Sequence, residues 1–439
     1  MATPMITVSL WETTIGYLGY APGETRVATF EFHPAFSNSG IELSPIVMKS
    51  MSSVHSFPHI SDHTFHGLPG IFADSLPDKF GNKLIDHYFA GKGMSSSEIT
   101  ALDRLAYIGK RGMGAFEYTP DINGESVMGG GALDIHMLAE LSDMVLKRDE
   151  SFKKKLEDAS THKEALAIIK IGSSAGGARS KALVSQDKKG KLYDGTVDMG
   201  SNKQYWLLKF DSAGNKDKED KADPRGMTKV EYIYSHFASA LGIEMPNTKY
   251  ILDGDHFHFM IERFDREIIN NKVAKKHYSS WAGLSHFDRE FTGVYSYEQL
   301  LLTARELNVG FDSIEQIYKR AIFNIVGRNQ DDHTKNFGFI MDKNGNWTLS
   351  PAFDMTFSYD PTGKWTKEHQ ISLSGVRDGF TQAHLLEFAS KCGIKQEKAI
   401  SIIQQTVEQF STFKVKAKEF DLDVELMEFV SNNLRTIFK

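Results

Sequence analysis

The alternation of apolar and polar residues at the start of the chain is typical of β-strands. The stretches ITVSLWE, TIGYLGYA and RVATFEFH alternate in part, and glycines and the turn Pro22-Gly23-Glu24 separate them. We expect a small antiparallel sheet there. The apolar spacing then becomes helical in PGIFADSLPDKFGNKLIDHYFAGKG, and Ser95-Ser96-Ser97-Glu98 predicts a capping-box start for a helix over ITALDRLAYIG. Strands followed by helices predict the α+β class.

A second group of strands is predicted between about residues 170 and 265. The candidate strands are AIIKIG, KALVSQ, QYWLLKF, TKYILDG and HFHFMIERF, with Asp253-Gly254 as a hairpin turn. The stretch KVEYIYSHFASALG interrupts them with apolar residues at helical spacing, so we expect one helix against this sheet. Beyond residue 295 the pattern is mostly helical, apart from two short strands predicted around Asn344-Gly345.

Glycine and charged residues indicate a domain boundary between about residues 125 and 165. Three glycines at 129–131 and the stretch KRDESFKKKLEDASTHKE flank a helix predicted over LDIHMLAELSDMVLK. The three lysines at 153–155 are compatible with a contact to a phosphate backbone. A solvated helix face is the commoner origin of such a run, and we prefer that interpretation.

The composition describes an ordinary folded protein. Of the 439 residues, 41% are hydrophobic and 25% charged, as is usual for folded soluble proteins. The length of the chain allows two or three domains of about 150 residues. The net charge of −6 argues against nucleic-acid binding through overall charge, although a local basic patch stays possible. Cys392 is the single cysteine, so neither an intramolecular disulfide nor a multi-cysteine zinc site can form. With no signal peptide and no apolar stretch of about 18 residues, we expect a cytoplasmic protein without membrane contact.

The first segment with candidate chemistry is a run of small residues at 172–181, GSSAGGARSK. With little Cβ bulk, such a loop can bring backbone N–H groups close to an anion, as phosphate-binding loops do. It lacks the closing Gly-Lys-Ser/Thr of a Walker A motif and the G-x-G-x-x-G spacing. A phosphate-binding loop and a plain hairpin turn therefore both stay open.

Lys209 is the second candidate, because it closes the apolar strand QYWLLKF. A buried ammonium group needs an anion, whereas a lysine at a strand end can also extend into water. Glu231 lies on the helix that follows, from which it can offer a carboxylate to the lysine. This pairing favours a functional role for Lys209.

The third segment, NQDDHTKNFGF at 329–339, is the most informative. Seven of its first eight residues carry a charged, amide or imidazole group, directly after a helix that is predicted to be buried. The step of five residues from Asp331 to Asn336 matches the D-x-x-x-x-N of kinase catalytic loops, in which Asp accepts the hydroxyl proton and Asn holds magnesium. The alternative is a structural network of satisfied polar groups.

Asp354, in the segment LSPAFD, can return to the same site. It lies 18 residues after Asn336 (354 − 336), beyond a predicted hairpin, and offers a second hard oxygen ligand. His333 could join a transition-metal site, but carboxylate and amide oxygens suit magnesium, and no second cluster supplies further nitrogen ligands. We therefore expect His333 to be a structural hydrogen-bonding residue.

Six ordered segments together resemble the HipA family, the serine/threonine-kinase toxins of type II toxin–antitoxin modules. They are GSSAGGARSKA, LLKF, the helix glutamate, IERFDR, DDHTKNFGF and LSPAFD. FHGLPGIFADSLPDKFG and RLAYIGKRGMGAFEY resemble that family's N-terminal subdomain. The resemblance implies a two-lobed, protein-kinase-like fold with a HipA N-terminal-like subdomain over 1–125. The remainder of a β-containing N-lobe would span 126–265 and a mostly helical C-lobe 266–439.

The resemblance also implies a role for each site residue, with ATP and Mg²⁺ bound between the lobes. Asp331 would be the catalytic base, and Asn336 and Asp354 would hold the metal. The nucleotide contacts would come from Lys209, Glu231, Glu262 and Phe264 and from the loop residues Ser174, Ala175, Gly176 and Gly177.

In this family a serine at the start of the small-residue loop is autophosphorylated, which ejects the loop and inactivates the enzyme. We assign Ser174 to this role, with Ser173 as the alternative. Asp332 stands where the family often has glycine. We expect it to lie behind the site or to be solvated.

Three functions fit these residues. The first is a protein serine/threonine kinase whose target lies in translation, such as an aminoacyl-tRNA synthetase. The second is a corepressor that binds a helix-turn-helix antitoxin of the HipB type and, through it, DNA. The third is a small-molecule phosphotransferase. The matched spacing of Lys209, Asp331, Asn336 and Asp354 favours the kinase over a pure scaffold, but it does not separate protein acceptors from small ones.

Overall fold

Antiparallel sheets at the start and middle of the chain and helices at its end form the fold. The structure is a computed structural model and describes residues 5–51, 53–77, 79–122, 131–147, 152, 154–155, 158, 162–173, 179–211 and 224–438. Within these residues it contains two five-stranded sheets, one three-stranded sheet and a two-stranded hairpin.

The first sheet confirms the strands predicted from the initial alternation. In spatial order it consists of β4 (Val54–Ser56), β3 (Ala28–Phe32), β2 (Thr13–Tyr20), β1 (Met5–Leu10) and β5 (Phe116–Thr119). Ile6, Val8 and Leu10 lie on one face of β1 and are buried, as a period of two requires. All neighbouring strands run antiparallel.

Helices lie between β3 and β5 along the chain. They are α1 (Pro34–Ser37), α2 (Asp62–Phe65), α3 (Gly70–Ala73), α4 (Lys79–Ala90) and α5 (Ala101–Ile108). The segment with helical spacing after residue 68 is divided between α3 and α4, with Pro77 in the break. The predicted capping box of Ser95 and Glu98 exists, but it starts a single 3-10 turn at Ser96–Glu98. The start of α5 is instead capped by Thr100, with Asp103 as the reciprocal partner.

Two helices of the middle region form a separate hydrophobic core with α4. They are α6 (Ile135–Leu146), as predicted, and α7 (His162–Gly172). The prediction of a strand over AIIKIG is wrong, because these residues are the second half of α7. All six residues of AIIKIG are buried, so this short run shows no period that could distinguish a helix from a strand.

The second sheet contains the remaining predicted strands. In spatial order it consists of β7 (Leu192–Asp194), β6 (Lys181–Gln186), β8 (Gln204–Lys209), β10 (His256–Glu262) and β9 (Thr248–Asp253). The predicted helix packs against it as α8 (Met227–Ala240). The hairpin β11 (Arg266–Ile269) and β12 (Lys272–Lys275) follows.

The rest of the chain is mostly helical, as predicted. Its helices are α9 (Trp281–Ser285), α10 (Tyr297–Glu306), α11 (Phe311–Val326), α12 (Gln382–Lys391), α13 (Gln396–Ser411), α14 (Phe413–Glu419) and α15 (Val424–Asn433). A small sheet of β13 (His277–Ser280), β14 (Gly338–Met341) and β15 (Trp347–Leu349) contains the two strands predicted around Asn344-Gly345. None of the helices in the described ranges has the length and apolar character that crossing a membrane requires.

The α+β class and the two-lobed, protein-kinase-like arrangement are confirmed. The second sheet with α8 forms the N-lobe, and the helices from α9 onward form the C-lobe. The exact domain limits at residues 125 and 265 stay predictions.

The N-terminal subdomain contacts the C-lobe with almost no intervening side chain. A Cβ atom at Gly70 would lie 2.4 Å from the carbonyl oxygen of Gly283, so only glycine permits this approach. Beside it, Asp74 accepts hydrogen bonds from the backbone N–H of Ser280 at 2.7 Å and from its hydroxyl at 2.7 Å. Ser280 in turn caps α9.

The same subdomain is also bound to the end of the N-lobe, through Asp265. This fully buried carboxylate accepts hydrogen bonds from Arg263 at 2.8 and 2.9 Å, from Arg266 at 2.8 Å and from the N–H of Gly114 at 2.7 Å. Burial by itself would raise the pKa of Asp265, but the two guanidinium groups outweigh it and hold the pKa well below its usual range.

We expect Asp265→Ala to destabilise the protein strongly. Removing the carboxylate leaves two buried guanidinium groups without their anion, which costs about 3–5 kcal/mol of unfolding free energy. Urea denaturation followed by tryptophan fluorescence measures the change. The control is Glu267→Ala, which removes an exposed partner of Lys276 and should cost less than about 1 kcal/mol. Equal losses of unfolding free energy in the two variants would contradict the role of Asp265 in holding the N-terminal subdomain against the end of the N-lobe.

Candidate active site

A cavity of about 520 Å³ lies between the two lobes. Strands β6, β8 and β10 of the N-lobe form one wall, and the loops after α11 and β15 form the other. The cavity is lined by six of the predicted site residues, namely Lys209, Glu262, Phe264, Asp331, Asn336 and Asp354. Residues separated by more than 140 positions in the chain therefore meet at one place.

Lys209 connects the two walls of the cavity. Its Nζ donates to Glu231 Oε1 at 2.5 Å and also to Asp354 Oδ1. The side chains of Lys209 and Glu231 are 7% and 3% exposed, whereas that of Asp354 is 34% exposed. Glu231 therefore lies behind the lysine and orients it, while Asp354 faces the cavity.

The electrostatics of this trio keep Lys209 and Asp354 charged. Burial acts to lower the pKa of Lys209, but Asp354 and Glu231 outweigh it and raise the pKa above its ordinary value. Burial acts to raise the pKa of Asp354, but Lys209 and then Lys181 hold that pKa well below its usual range. Asp354 is thus ionised at neutral pH and can bind a cation.

The loop after α11 is shaped by hydrogen bonds of its asparagines. Asn329 donates its backbone N–H to the carbonyl oxygen of Asn324 at 2.9 Å, and its side-chain amide donates to Asn324 Oδ1 at 2.9 Å. Asn336 Nδ2 donates to the carbonyl oxygen of Asp331 at 2.6 Å, which closes the five-residue loop. This bond fixes the amide of Asn336 and leaves its Oδ1 as the atom available to a cation.

Asp354 has a backbone conformation that is unusual for a residue other than glycine. Its φ of 52° lies in the left-handed region, which aspartate tolerates better than most residues do. The side-chain amide of Asn329 donates to the carbonyl oxygen of Asp354 at 3.3 Å.

The ligand atoms that Asn336 and Asp354 offer to a metal are hard oxygens, which magnesium prefers. The residues present therefore fit a bound Mg²⁺.

His333 has the structural hydrogen bond that we expected. Its Nδ1 accepts the backbone N–H of Lys335 at 3.2 Å and caps the 3-10 turn Thr334–Asn336. Throughout the part of the chain that the structure describes, no three His, Cys, Asp or Glu side chains are grouped as ligands of a metal ion would be. Asp332 is 1% exposed, so the solvated alternative for this residue is wrong.

Two further predicted nucleotide contacts lie on the N-lobe side of the cavity. Glu262 accepts a hydrogen bond from the side-chain amide of Asn247 at 2.6 Å. The ring of Phe264 stacks with that of Phe353, with centroids 5.9 Å apart, and packs against Tyr278 at 5.5 Å. These rings give that end of the cavity an apolar surface of the kind a planar base can pack against.

The small-residue loop can be placed only in part. Ser174, Ala175, Gly176 and Gly177 lie outside the described residues. Ser173 is fully buried at the end of α7, and its hydroxyl donates to the carbonyl oxygen of Lys170 at 3.1 Å. Ser173 does not line the cavity.

Sequence reasoning missed the other cations of the cavity. Lys181 lies opposite Lys209 in the register of the antiparallel strands β6 and β8. Arg179 NH1 lies 4.0 Å from Glu231 Oε2. Further along the cavity lie Lys79, Arg289, Lys335 and Lys364. A lysine that starts a strand directly after a small-residue loop was a usable signal for Lys181, whereas the others have no motif.

Comparison with known families agrees with the resemblance seen in the sequence. The profile of the HipA-like C-terminal domain matches residues 173–413, which is more than half of the chain, and that of the HipA N-terminal domain matches residues 6–119. The chain belongs to the HipA family. The family predicted from six short motifs is confirmed, and the cavity of this HipA-family chain lies mainly within the C-terminal match.

Among solved structures, this HipA-family chain is similar to a chain of the HipA, HipB and operator DNA complex of Shewanella oneidensis MR-1. The TM-score is 0.61 at 19% identity, and the alignment covers 97% of this chain and 94% of that one. At this identity the likeness shows a shared fold. The Helicobacter pylori kinase CtkA aligns over 53% of this chain and 88% of its own, with 12% identity and a TM-score of 0.31. A TM-score this low does not indicate a shared fold. No curated protein matches the sequence.

We expect Lys209→Met to lower the unfolding free energy at pH 7 by about 2–4 kcal/mol, because it removes the ammonium group that binds both Glu231 and Asp354. The depressed pKa of Asp354 means that its ionised form stabilises the fold above its ordinary pKa of about 4. That stabilisation is lost as the pH falls through the lower, folded-state value. The difference between wild type and variant should therefore shrink below about pH 4.

Urea denaturation at pH 7 and at about pH 2.5 measures this difference. Lys272→Met, at an exposed position of the β12 hairpin, is the matched control and should leave stability unchanged at both pH values. A loss in Lys209→Met that is the same at both pH values would show that lost packing, and not the ion pairs, is responsible.

Proposed function

We propose that this HipA-family chain is an ATP- and Mg²⁺-dependent serine/threonine protein kinase and acts as the toxin of a type II toxin–antitoxin module. The observation that carries this proposal is the convergence of Lys209, Asp331, Asn336 and Asp354 on one cavity. The pairing of Lys209 with Glu231 supports it further, because a structural lysine does not need a second carboxylate behind it.

The residues divide the work of phosphoryl transfer in this proposal. Lys209, with Lys181 and Arg179 beside it, neutralises the phosphates of ATP. Asp331 accepts the proton of the acceptor hydroxyl as that oxygen forms its bond to the γ-phosphorus and the bond to the β-phosphate oxygen breaks, releasing ADP. Asn336 Oδ1 and Asp354 would hold Mg²⁺, which would supply positive charge for the phosphate oxygens.

A hydroxyl group of a protein is the acceptor that we propose. Membership of the HipA family supports a target in translation, such as an aminoacyl-tRNA synthetase, and a cytoplasmic site of action. A small-molecule phosphotransferase would use the same base with another acceptor. Incubation with a protein extract and with small hydroxyl compounds distinguishes the two.

A second role, as corepressor, is favoured by the fold match. The Shewanella structure is described as a complex of HipA, HipB and operator DNA. We propose that this chain likewise binds a helix-turn-helix antitoxin of the HipB type and reaches DNA through it. The net charge of −6 supports such an indirect contact, since the antitoxin would supply the basic surface.

The kinase proposal predicts autophosphorylation. Incubation with labelled ATP and Mg²⁺ should transfer phosphate to Ser174, because Ser173 is fully buried. The added charge of about −1.5 to −2 would repel ATP phosphates from the small-residue loop. The phosphorylated protein should therefore bind ATP at least about tenfold more weakly, as calorimetry can measure.

Mass spectrometry identifies the modified serine, and Ser174→Ala is the variant that should escape inactivation. Modification of Ser173 instead would show that the end of α7 unfolds locally. No incorporation, even into protein treated first with phosphatase, would contradict the kinase proposal.

Asp331→Asn and Asp354→Asn should fail in different ways. Asp331→Asn should lower phosphoryl transfer about 10²–10⁴-fold while ATP binding is retained, because the base acts on the hydroxyl. Asp354→Asn should weaken Mg²⁺-dependent nucleotide binding. Asp255→Asn, on an exposed hairpin turn, is the control for both.

Single-turnover rates and nucleotide titrations with and without Mg²⁺ separate the two variants. The same loss of ATP affinity in both would contradict the proposed division of roles. Asp331→Asn also separates the proposed kinase role from the proposed corepressor role. This variant should still bind the antitoxin and repress transcription, although its phosphoryl transfer is lost.

A further inference from the structure

Asp332, the residue after the proposed base, is held on the buried side of the loop by three donors. Its carboxylate accepts hydrogen bonds from the Tyr297 hydroxyl at 2.9 Å, from His369 Nδ1 at 2.7 Å and from the backbone N–H of Gln370 at 2.8 Å. Asp331 faces the cavity, whereas Asp332 is buried. The one peptide unit between them joins the catalytic side of the loop to this buried network.

The protonation of His369 follows from its other neighbour. Arg435 places NH1 3.0 Å from His369 Nε2. A guanidinium group only donates hydrogen bonds, so Nε2 must be the accepting nitrogen of a neutral imidazole. The proton then lies on Nδ1, which donates it to Asp332. Arg435 thus selects the tautomer of His369 that can bind the loop.

Arg435 lies in the segment 434–438 after α15 and is itself firmly held. Its backbone N–H donates to the carbonyl oxygen of Val326 at 3.0 Å, and its guanidinium group also binds Asp378. The guanidinium carbon lies 5.2 Å from the ring centroid of Phe380. Arg328, at the start of the loop, donates to the carbonyl oxygen of Asn433 at 2.8 Å. The end of α15 and the segment after it are therefore attached to the end of α11 and to the start of the same loop.

We propose that Arg435, acting through His369 and Asp332, is a positioning residue for Asp331. This inference rests on the proposed function, since it assumes that Asp331 is the base. A displacement of about 1 Å of a catalytic group can cost about 10²-fold in rate. Three donors on Asp332, one of them fixed by Arg435, restrain the loop against such a displacement.

Two substitutions of His369 test the chain of contacts. Asparagine places its amide nitrogen near the position of Nδ1 and keeps the donor to Asp332, whereas glutamine places it near Nε2 and loses that donor. We expect His369→Gln to lower the phosphoryl-transfer rate about 10–100-fold, with an ATP affinity within about twofold of wild type. His369→Asn should recover most of the lost rate. His236→Gln, at an exposed position of α8, is the control.

Arg435→Gln is the second variant, because it changes the outer end of the network, together with the ion pair to Asp378, and leaves His369 and Asp332 in place. It should lower the rate in the same direction as His369→Gln. It should also allow the proton of the His369 ring to move from Nδ1 to Nε2. Nitrogen NMR of labelled imidazoles detects this change without any assay of activity. In the wild type, the His369 Nδ1 should carry a slowly exchanging proton.

The outcomes separate this inference from the proposed function. Rate losses in His369→Gln and Arg435→Gln with ATP affinity retained, measured at a temperature at which both variants are folded, and recovery in His369→Asn would support the positioning role. Wild-type rates in both Gln variants would overturn it. Equal losses of rate, affinity and melting temperature would overturn it as well, because they indicate general destabilisation. If the wild type transfers no phosphate, the proposed function fails, and a proton on His369 Nε2 would still refute the network independently.

Discussion

The ammonium group of Lys209, enclosed between two carboxylates, is the interaction on which the site depends. It draws Glu231 from a helix of the N-lobe and Asp354 from a loop of the C-lobe to one point. A buried cation is costly without anions, and two neighbouring carboxylates are costly without a cation. Lys209 and Glu231 already pair within the N-lobe, and Asp354 of the C-lobe joins this pair across the cavity, so that its contact with Lys209 links the two lobes.

The sequence predicted this centre well because its signals are local. A lysine at the end of an apolar strand, a carboxylate on the next helix and the step from Asp331 to Asn336 can all be found by spacing alone. The strand pairing around Asp253-Gly254 was predictable for the same reason. Each of these features is decided by a few neighbouring residues, whose chemistry permits few alternatives.

The rest was not predictable because it depends on residues far apart in the chain. The stretch AIIKIG is helical because α4 and α6 cover it, and no property of six apolar residues reveals that cover. The burial of Asp332 depends on Tyr297, His369 and Gln370, which belong to no motif. Lys181 has a local signal at the start of β6, but its position next to Lys209 becomes visible only once the order of the strands is known.

The close approach of Gly70 to Gly283 has a consequence for how the cavity can move. The N-terminal subdomain contacts the C-lobe there and is bound to the end of the N-lobe through Asp265. The two lobes are thus joined by a second bridge besides the chain that connects them. We expect this frame to suppress the rocking of lobes that many kinases use to enclose their substrates. The entropic cost of bringing the lobes together is then part of the free energy of folding and does not arise again when a substrate binds. Only loops and side chains are then left to move in response to the substrate.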